Sequence, residues 1–106
     1  MSVYIIARFA IHDRARYDRY DAAFMDVFAN FDGELLSVDE EPHTLEGQFT
    51  AGGSPATRSV LIRFPSKEAA FAWMTSDAYE AIAQDRLAAS VGEVVMVRGG
   101  VPGARD

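Results

Sequence analysis

The chain of 106 residues has no cysteine, which excludes disulfides, thiolate nucleophiles and thiolate metal sites together and fits a reducing, cytoplasmic setting. It has no basic surplus either: 10 lysines and arginines face 16 aspartates and glutamates, a net charge of −6. The acids are spread along the chain rather than gathered in a tail, so neither nucleic acid nor an anionic membrane is an expected partner. Long apolar runs are missing. The N-terminal M-S-V-Y-I-I-A-R-F-A-I is broken by Arg8 and lacks a basic leader, so it is expected to be a first strand and not a signal peptide or a membrane span.

Several catalytic signatures are missing as well. No G-x-x-x-x-G-K-[ST] loop occurs, no hydroxyl sits in a nucleophile elbow, and Gly52-Gly53-Ser54 runs into Pro55 rather than a helix, so phosphate-loop chemistry is unsupported. With two histidines and no calcium-loop pattern, no metal site is expected. Neither histidine has the context of a haem ligand, and no cofactor is expected.

What is present suits one modest core, with 49% hydrophobic residues, seven Phe, four Tyr and one Trp. The pattern predicts a single domain over residues 1–98 and a tail over 99–106. Residues 3–11 read as a strand, and Asp13 as the N-cap of a helix. From Arg14 to Phe31 the residues Tyr17, Tyr20, Phe24, Val27, Phe28 and Phe31 recur at steps of three and four, the mark of an amphipathic helix. Arg16, Arg19, Asp21 and Asp26 fall on its other faces, and Gly33 is suited to a left-handed stop. A second strand is predicted over 34–38. Pro42 breaks a bend over 39–42, with pairing able to resume over 43–46, and 47–57 reads as a loop. R-S-V-L-I-R-F is the third strand. Ser66 caps a second helix, Thr75-Ser76-Asp77 breaks and recaps it, and G-E-V-V-M-V-R is the fourth strand.

Strand, helix, strand, strand, helix, strand in so short a chain predicts the α+β ferredoxin-like βαββαβ arrangement: one four-stranded antiparallel sheet with its helices on one face. Strands 1 and 3 are then expected side by side and parallel in the centre. Alternation puts Ile5, Ala7, Phe9, Val60, Ile62, Phe64, Leu36, Val38, Val95 and Val97 toward the helices. It leaves Tyr4, Ile6, Leu61, Val94 and Met96 on the open face with Arg8, Arg63 and Arg98, while Leu35, Ser37 and Asp39 point the same way. A face so apolar implies a second copy packed sheet to sheet, with a pocket between the layers.

In that arrangement Arg8 and Arg63 stand about one strand spacing apart, roughly 5 Å, with Arg98 at the other end beside Tyr4. Two neighbouring guanidinium groups call for an anion between them. It is either a small acidic or carbonyl-bearing ligand or a protein acid, Asp39, Glu40 or Glu41. V-D-E-E-P-H-T-L-E-G, residues 38–47, gathers four acids and one of the two histidines. In it His43 is a candidate general base tuned by Glu41 or Glu46, or simply a histidine in a polar bend. Trp73 and Tyr79 are candidates for a ligand wall or for core.

L-E-G at 45–47, R-S-V-L-I-R-F-P-S-K-E-A-A-F-A-W at 58–73, S-D-A-Y at 76–79 and Arg86, with Tyr17, Tyr20, Gly33 and the last strand's V-x-V, resemble the "domain of unknown function 1330" family. Met74 departs from the tyrosine expected there, and the loop at Gly52-Gly53 is longer. The resemblance implies a protomer of the dimeric α/β-barrel superfamily, which includes cofactor-free monooxygenases, isomerases, haem peroxidases and ligand sensors. It carries no catalytic assignment. Three functions stay open: a homodimer binding a small anionic or carbonyl-bearing metabolite, a cofactor-independent monooxygenase or isomerase, and a dimerisation module without a ligand.

Overall fold

The structure is a computed structural model and describes residues 1–103. Its elements in chain order are β1 (Val3–Ile11), α1 (Arg14–Phe28), β2 (Glu34–Asp39), β3 (Thr50–Ala51), β4 (Ser54–Pro55), β5 (Arg58–Phe64), α2 (Lys67–Met74), α3 (Asp77–Ala89) and β6 (Ser90–Arg98). Three helix starts are fixed by local chemistry: the side chains of Asp13, Ser66 and Ser76 accept from the backbone N–H of Arg16, Ala69 and Tyr79, each at 3.1 Å. Each satisfies an N–H that the first helical turn leaves unpaired.

α1 ends at Phe28, three residues earlier than the apolar spacing suggests. Its last turn tightens through Asn30 N–H to the Val27 carbonyl and Phe31 N–H to the Phe28 carbonyl. Gly33 does not adopt a left-handed conformation. It is required for space, because a Cβ there would overlap the Phe28 ring and stand 2.7 Å from Phe64. Gly33→Ala is therefore expected to destabilise the fold by about 1–3 kcal/mol, as overpacked cores do; a lowered urea midpoint at unchanged slope would register it.

The main sheet has the order β2-β5-β1-β6, and every neighbouring pair is antiparallel. The fold class is the ferredoxin-like one, but β1 and the third long strand, β5, are not parallel as expected. The crossover through α1 returns β2 parallel to β1, and the connection through 40–57 reverses the chain. Arg8 thus faces Ser59, while Arg63 faces Tyr4. The two arginines stand four residues apart along the sheet, about 13 Å, and no single anion bridges them. Arg98, opposite Val3, falls at the same end as Arg63.

Register also corrects two strands. In β6, Val94 and Met96 lie opposite Ala7 and Ile5 on the helix side, and Val95 and Val97 lie opposite Ile6 and Tyr4 on the open side, the reverse of the expected assignment. In β2 a bulge at Leu36 puts both Leu35 and Val38 opposite the helix-side residues Ile62 and Val60; such a bulge adds a residue and breaks alternation. No strand forms over 43–46, and the expected loop contains the β3–β4 hairpin, turned by Gly52 and Gly53 at φ 55° and 83°.

That hairpin lies over the open face beside the end of β1. Gly52 N–H donates to Glu93 at 3.0 Å, the Arg8 guanidinium sits 5.2 Å from the Phe49 ring, and Ala51 is fully buried. The uncovered remainder of this face is apolar, with Ile6, Val95 and Val97 exposed at 43%, 50% and 39%. Gly99 N–H bonds the Ser2 carbonyl at 2.8 Å; the last three positions of the expected tail, 104–106, lie outside the described residues. Among the described residues no helix is long and apolar enough to cross a membrane.

Between helices and sheet the core is largely aromatic. Phe64 and Trp73 stack at 5.6 Å, Phe28 meets both edge-on, and Trp73 stands 4.3 Å from Tyr79. Rings at such offset and edge-on separations add to the gain from area burial alone.

Candidate functional site

The core is not filled. A cavity of about 240 Å³ lies between the helix layer and the helix-side face of the sheet, walled by Tyr17, Tyr20, Phe24, Trp73 and Tyr79 and floored by Ala7, Val60 and Val94. Three charged side chains also reach it, Asp21 from α1, Arg58 from β5 and Arg86 from α3. Asp21 belongs to this wall because it is one turn beyond Tyr17, contrary to its expected place on another face.

The charges are unequally neutralised. Arg58, with its side chain 8% exposed, donates to Asp21 Oδ1 at 2.9 Å and to Glu40 Oε1 at 3.0 Å, and its guanidinium lies 5.0 Å from the Tyr17 ring. Arg14 holds both oxygens of Glu40, each at 3.0 Å. Arg86 stacks 5.1 Å from the centre of Phe9 and 5.8 Å from that of Tyr20. No carboxylate of the described residues lies within ion-pair distance of it. Its Nε, the Arg58 Nε and the Trp73 Nε1 are buried donors without partners among the described residues, a condition that proteins usually avoid. The Tyr20 and Tyr79 hydroxyls bond each other at 2.7 Å.

Burial shifts the acids and phenols here. The Tyr17 hydroxyl is pushed up to about 12 by desolvation, against the pull of Arg58, and Tyr20 is raised further by desolvation and by Tyr79. Desolvation also raises the Asp21 carboxyl, with Arg58 opposing it. The hydrogen bond from Arg14 leads the causes that hold Glu40 below the usual carboxylate range and raise Arg14. For a phenol whose folded value is raised, the native-state contribution is whole below about 10 and is lost as pH climbs through about 12. Absorbance titration at 295 nm is expected to show a late phenolate step near pH 12 that Tyr17→Phe removes.

The residues singled out in the sequence divide between two faces. Trp73 and Tyr79 line the cavity. Tyr4, Arg8 and Arg63 lie on the open face, where Arg8 meets Glu93 at 3.8 Å and Arg63 meets Glu34 at 3.5 Å. Asp39, opposite Ser59 on that same face, accepts from Glu41 N–H at 2.8 Å and does not pair with either arginine. His43 is exposed and does not line the cavity. The dense acidic stretch thus supplies one counter-ion, Glu40, and it serves Arg14 and Arg58. Among the described residues no group of three His, Asp or Glu is placed to hold a metal.

Sequence reasoning missed Arg58 and Asp21 although the signals were present. Arg58 shares the parity of Val60, Ile62 and Phe64, and Asp21 follows Tyr17 by four. Arg86 entered only through the family resemblance, yet it is seven residues beyond Tyr79, two turns along the same stripe.

Residues 2–100 match the family described as Domain of unknown function (DUF1330), and the chain belongs to it. Solved structures share the fold. RPA0582, a protein of unknown function from Rhodopseudomonas palustris, superposes at a TM-score of 0.70 with 13% identity, over 91% of this chain and 78% of that one. SnoaB, a cofactor-independent oxygenase from Streptomyces nogalater, gives 0.65 and 15%, over 94% of each. A dimeric ferredoxin-like protein of unknown function from Thermobifida fusca gives 0.57 and 17%, over 92% and 88%. No protein of curated function matches the sequence.

Proposed function

We propose that this protein is a cytoplasmic homodimer that binds a small planar compound carrying an acidic or carbonyl oxygen, in the cavity between its helices and its sheet. The observation that supports this reading is Arg86: a cation with a buried, unpartnered donor, reaching a mostly apolar cavity and without an ion-paired acid among the described residues. An anionic oxygen supplied by a ligand satisfies it, and Arg is the side chain best shaped to receive one. Trp73 and Tyr79 form the wall against which a flat ring lies. The cavity falls just under the roughly 300–1,000 Å³ of drug-sized sites, which suits one or two fused rings.

The dimer rests on the open face, where Ile6, Leu61, Val95 and Val97 would meet their copies sheet to sheet, as an exposed apolar patch favours. Arg8 with Glu93 and Arg63 with Glu34 frame that patch. Tyr4, Asp39 and His43 have no part in the ligand site under this reading.

The single tryptophan makes the test direct, because its indole N–H gives one NMR signal. Titration with 2-naphthoate is expected to move that signal saturably, and 2-naphthamide, its uncharged counterpart, to do so more weakly. An indole signal unmoved by either compound at millimolar concentration would count against the cavity as a binding site.

The fold shared with SnoaB favours a second reading, a cofactor-independent oxygenase acting on a phenol held in the same cavity. The substrate would give up a C–H and an O–H hydrogen; one atom of O₂ would be kept as a carbonyl and the other would leave as water. Oxygen uptake with 2-naphthol above the protein-free rate, with no flavin or metal added, would support it.

A further inference from the structure

We infer that Asp21 is a general base sharing the cavity wall with Arg86, so that the site abstracts a proton next to a carbonyl and holds the resulting enolate. The inference rests on the reading of the cavity as a ligand site and adds a reaction to it. The two groups come from different helices, α1 and α3, and reach the same apolar space. An anion receptor and a proton acceptor on the walls of one cavity are the minimum that enolisation requires.

The partners of Asp21 fit that role better than a purely structural one. Arg58 engages Oδ1 only, so Oδ2 has no side-chain partner among the described residues. Arg58 is itself shared with Glu40, both of whose oxygens Arg14 also holds. The Asp21 carboxylate is therefore held at one oxygen but not saturated. The groups facing it are Arg58 from β5, Arg14 and Asp18 from α1, and Glu40 from the segment after β2. Burial outweighs these charges and raises its proton affinity, which brings a carboxylate closer to the strength that a base needs near neutral pH.

The step balances without an oxidant. Oδ2 takes a proton from the carbon beside the carbonyl, the C–H electron pair becomes the C=C bond, and the carbonyl pair moves onto oxygen as an enolate beside Arg86. Return of the proton to the same carbon gives exchange; its return to another carbon gives an isomer. The substrate class is a cyclic, enolisable ketone of one or two rings.

The probe is 2-tetralone, a two-ring ketone with acidic hydrogens at C1. In D₂O, NMR follows their replacement by deuterium while the Trp73 indole signal reports binding of the same compound. Wild-type protein is expected to speed exchange above the buffer rate, with a rate that rises with pH through a value above that of a free carboxylate. Asp21→Asn keeps an acceptor for Arg58 and is expected to lower the protein-dependent rate by about 100-fold with the indole shift retained. Glu40→Gln loosens the same arginines without removing the cavity carboxylate, and its rate should fall by no more than about tenfold.

Binding without exchange would overturn the base assignment and leave the ligand site standing. No binding would overturn both. Equal loss in the two variants would make Asp21 a member of the arginine network and nothing more.

Discussion

Arg86→Met is expected to lower affinity for 2-naphthoate by about 100-fold, the worth of a hydrogen-bonded charge in a site of low dielectric, while affinity for 2-naphthamide changes little. The thermal midpoint should hold or rise. Arg86 has a buried Nε donor without a partner, and no carboxylate among the described residues lies within ion-pair distance of it, so removing it relieves the cost of that unpaired donor. Methionine keeps most of the length and apolar bulk that packs on Phe9 and Tyr20. A lost ligand preference with retained stability is the mark of a residue kept for binding. A strong fall in stability with unchanged affinity would instead make Arg86 a structural cation held by its aromatic neighbours.

The second large effect concerns two adjacent valines. Val95→Asp is expected to convert the protein to a monomer in sedimentation velocity, raising the dimer dissociation constant by about three orders of magnitude. The carboxylate would enter the centre of a sheet-to-sheet interface without a partner, at about 4 kcal/mol. Val94→Asp should leave the dimer intact and weaken 2-naphthoate binding, because Val94 lines the cavity and an acid there competes for Arg86. The opposite pattern, a monomer from Val94→Asp and a dimer from Val95→Asp, would mean that association uses the helix-side edge of β6.

The contrast between these valines shows where sequence stops being informative. Helix starts were legible because capping is local: Asp13, Ser66 and Ser76 each act on an N–H three residues away. The parity of β1 and β5 was legible because their two faces differ in polarity. β6 reads V-V-M-V, apolar on both faces, so only pairing with β1 decides that Val94 meets Ala7 and Val95 meets Ile6. In β2 the bulge at Leu36 shifts the alternation, and no residue type announces it. The direction of β5 could have been deduced, since a crossover that makes β2 parallel to β1 forces the next strand to reverse.

The candidate site was half legible for the same reason. Trp73 and Tyr79 could each be placed on the inward stripe of its own helix, whereas the choice among arginines depended on strand direction. Once β5 runs antiparallel, Arg8 and Arg63 separate and take Glu93 and Glu34 as partners. Arg58, with the parity of the core, turns inward to Asp21 and Glu40. Gly33 is a similar case: a glycine after a helix suggests a left-handed turn, but here the Phe28 and Phe64 rings leave no room for a Cβ.

The most direct measurement is a crystal of the protein soaked with 6-bromo-2-naphthoate, with bromine located by its anomalous scattering. Bromine is expected inside the cavity, with the ring against Trp73 and Tyr79 and the carboxylate within hydrogen-bond distance of Arg86. Bromine ordered on the open face beside Arg8 or Arg63, or an empty cavity at saturating ligand, would contradict that placement.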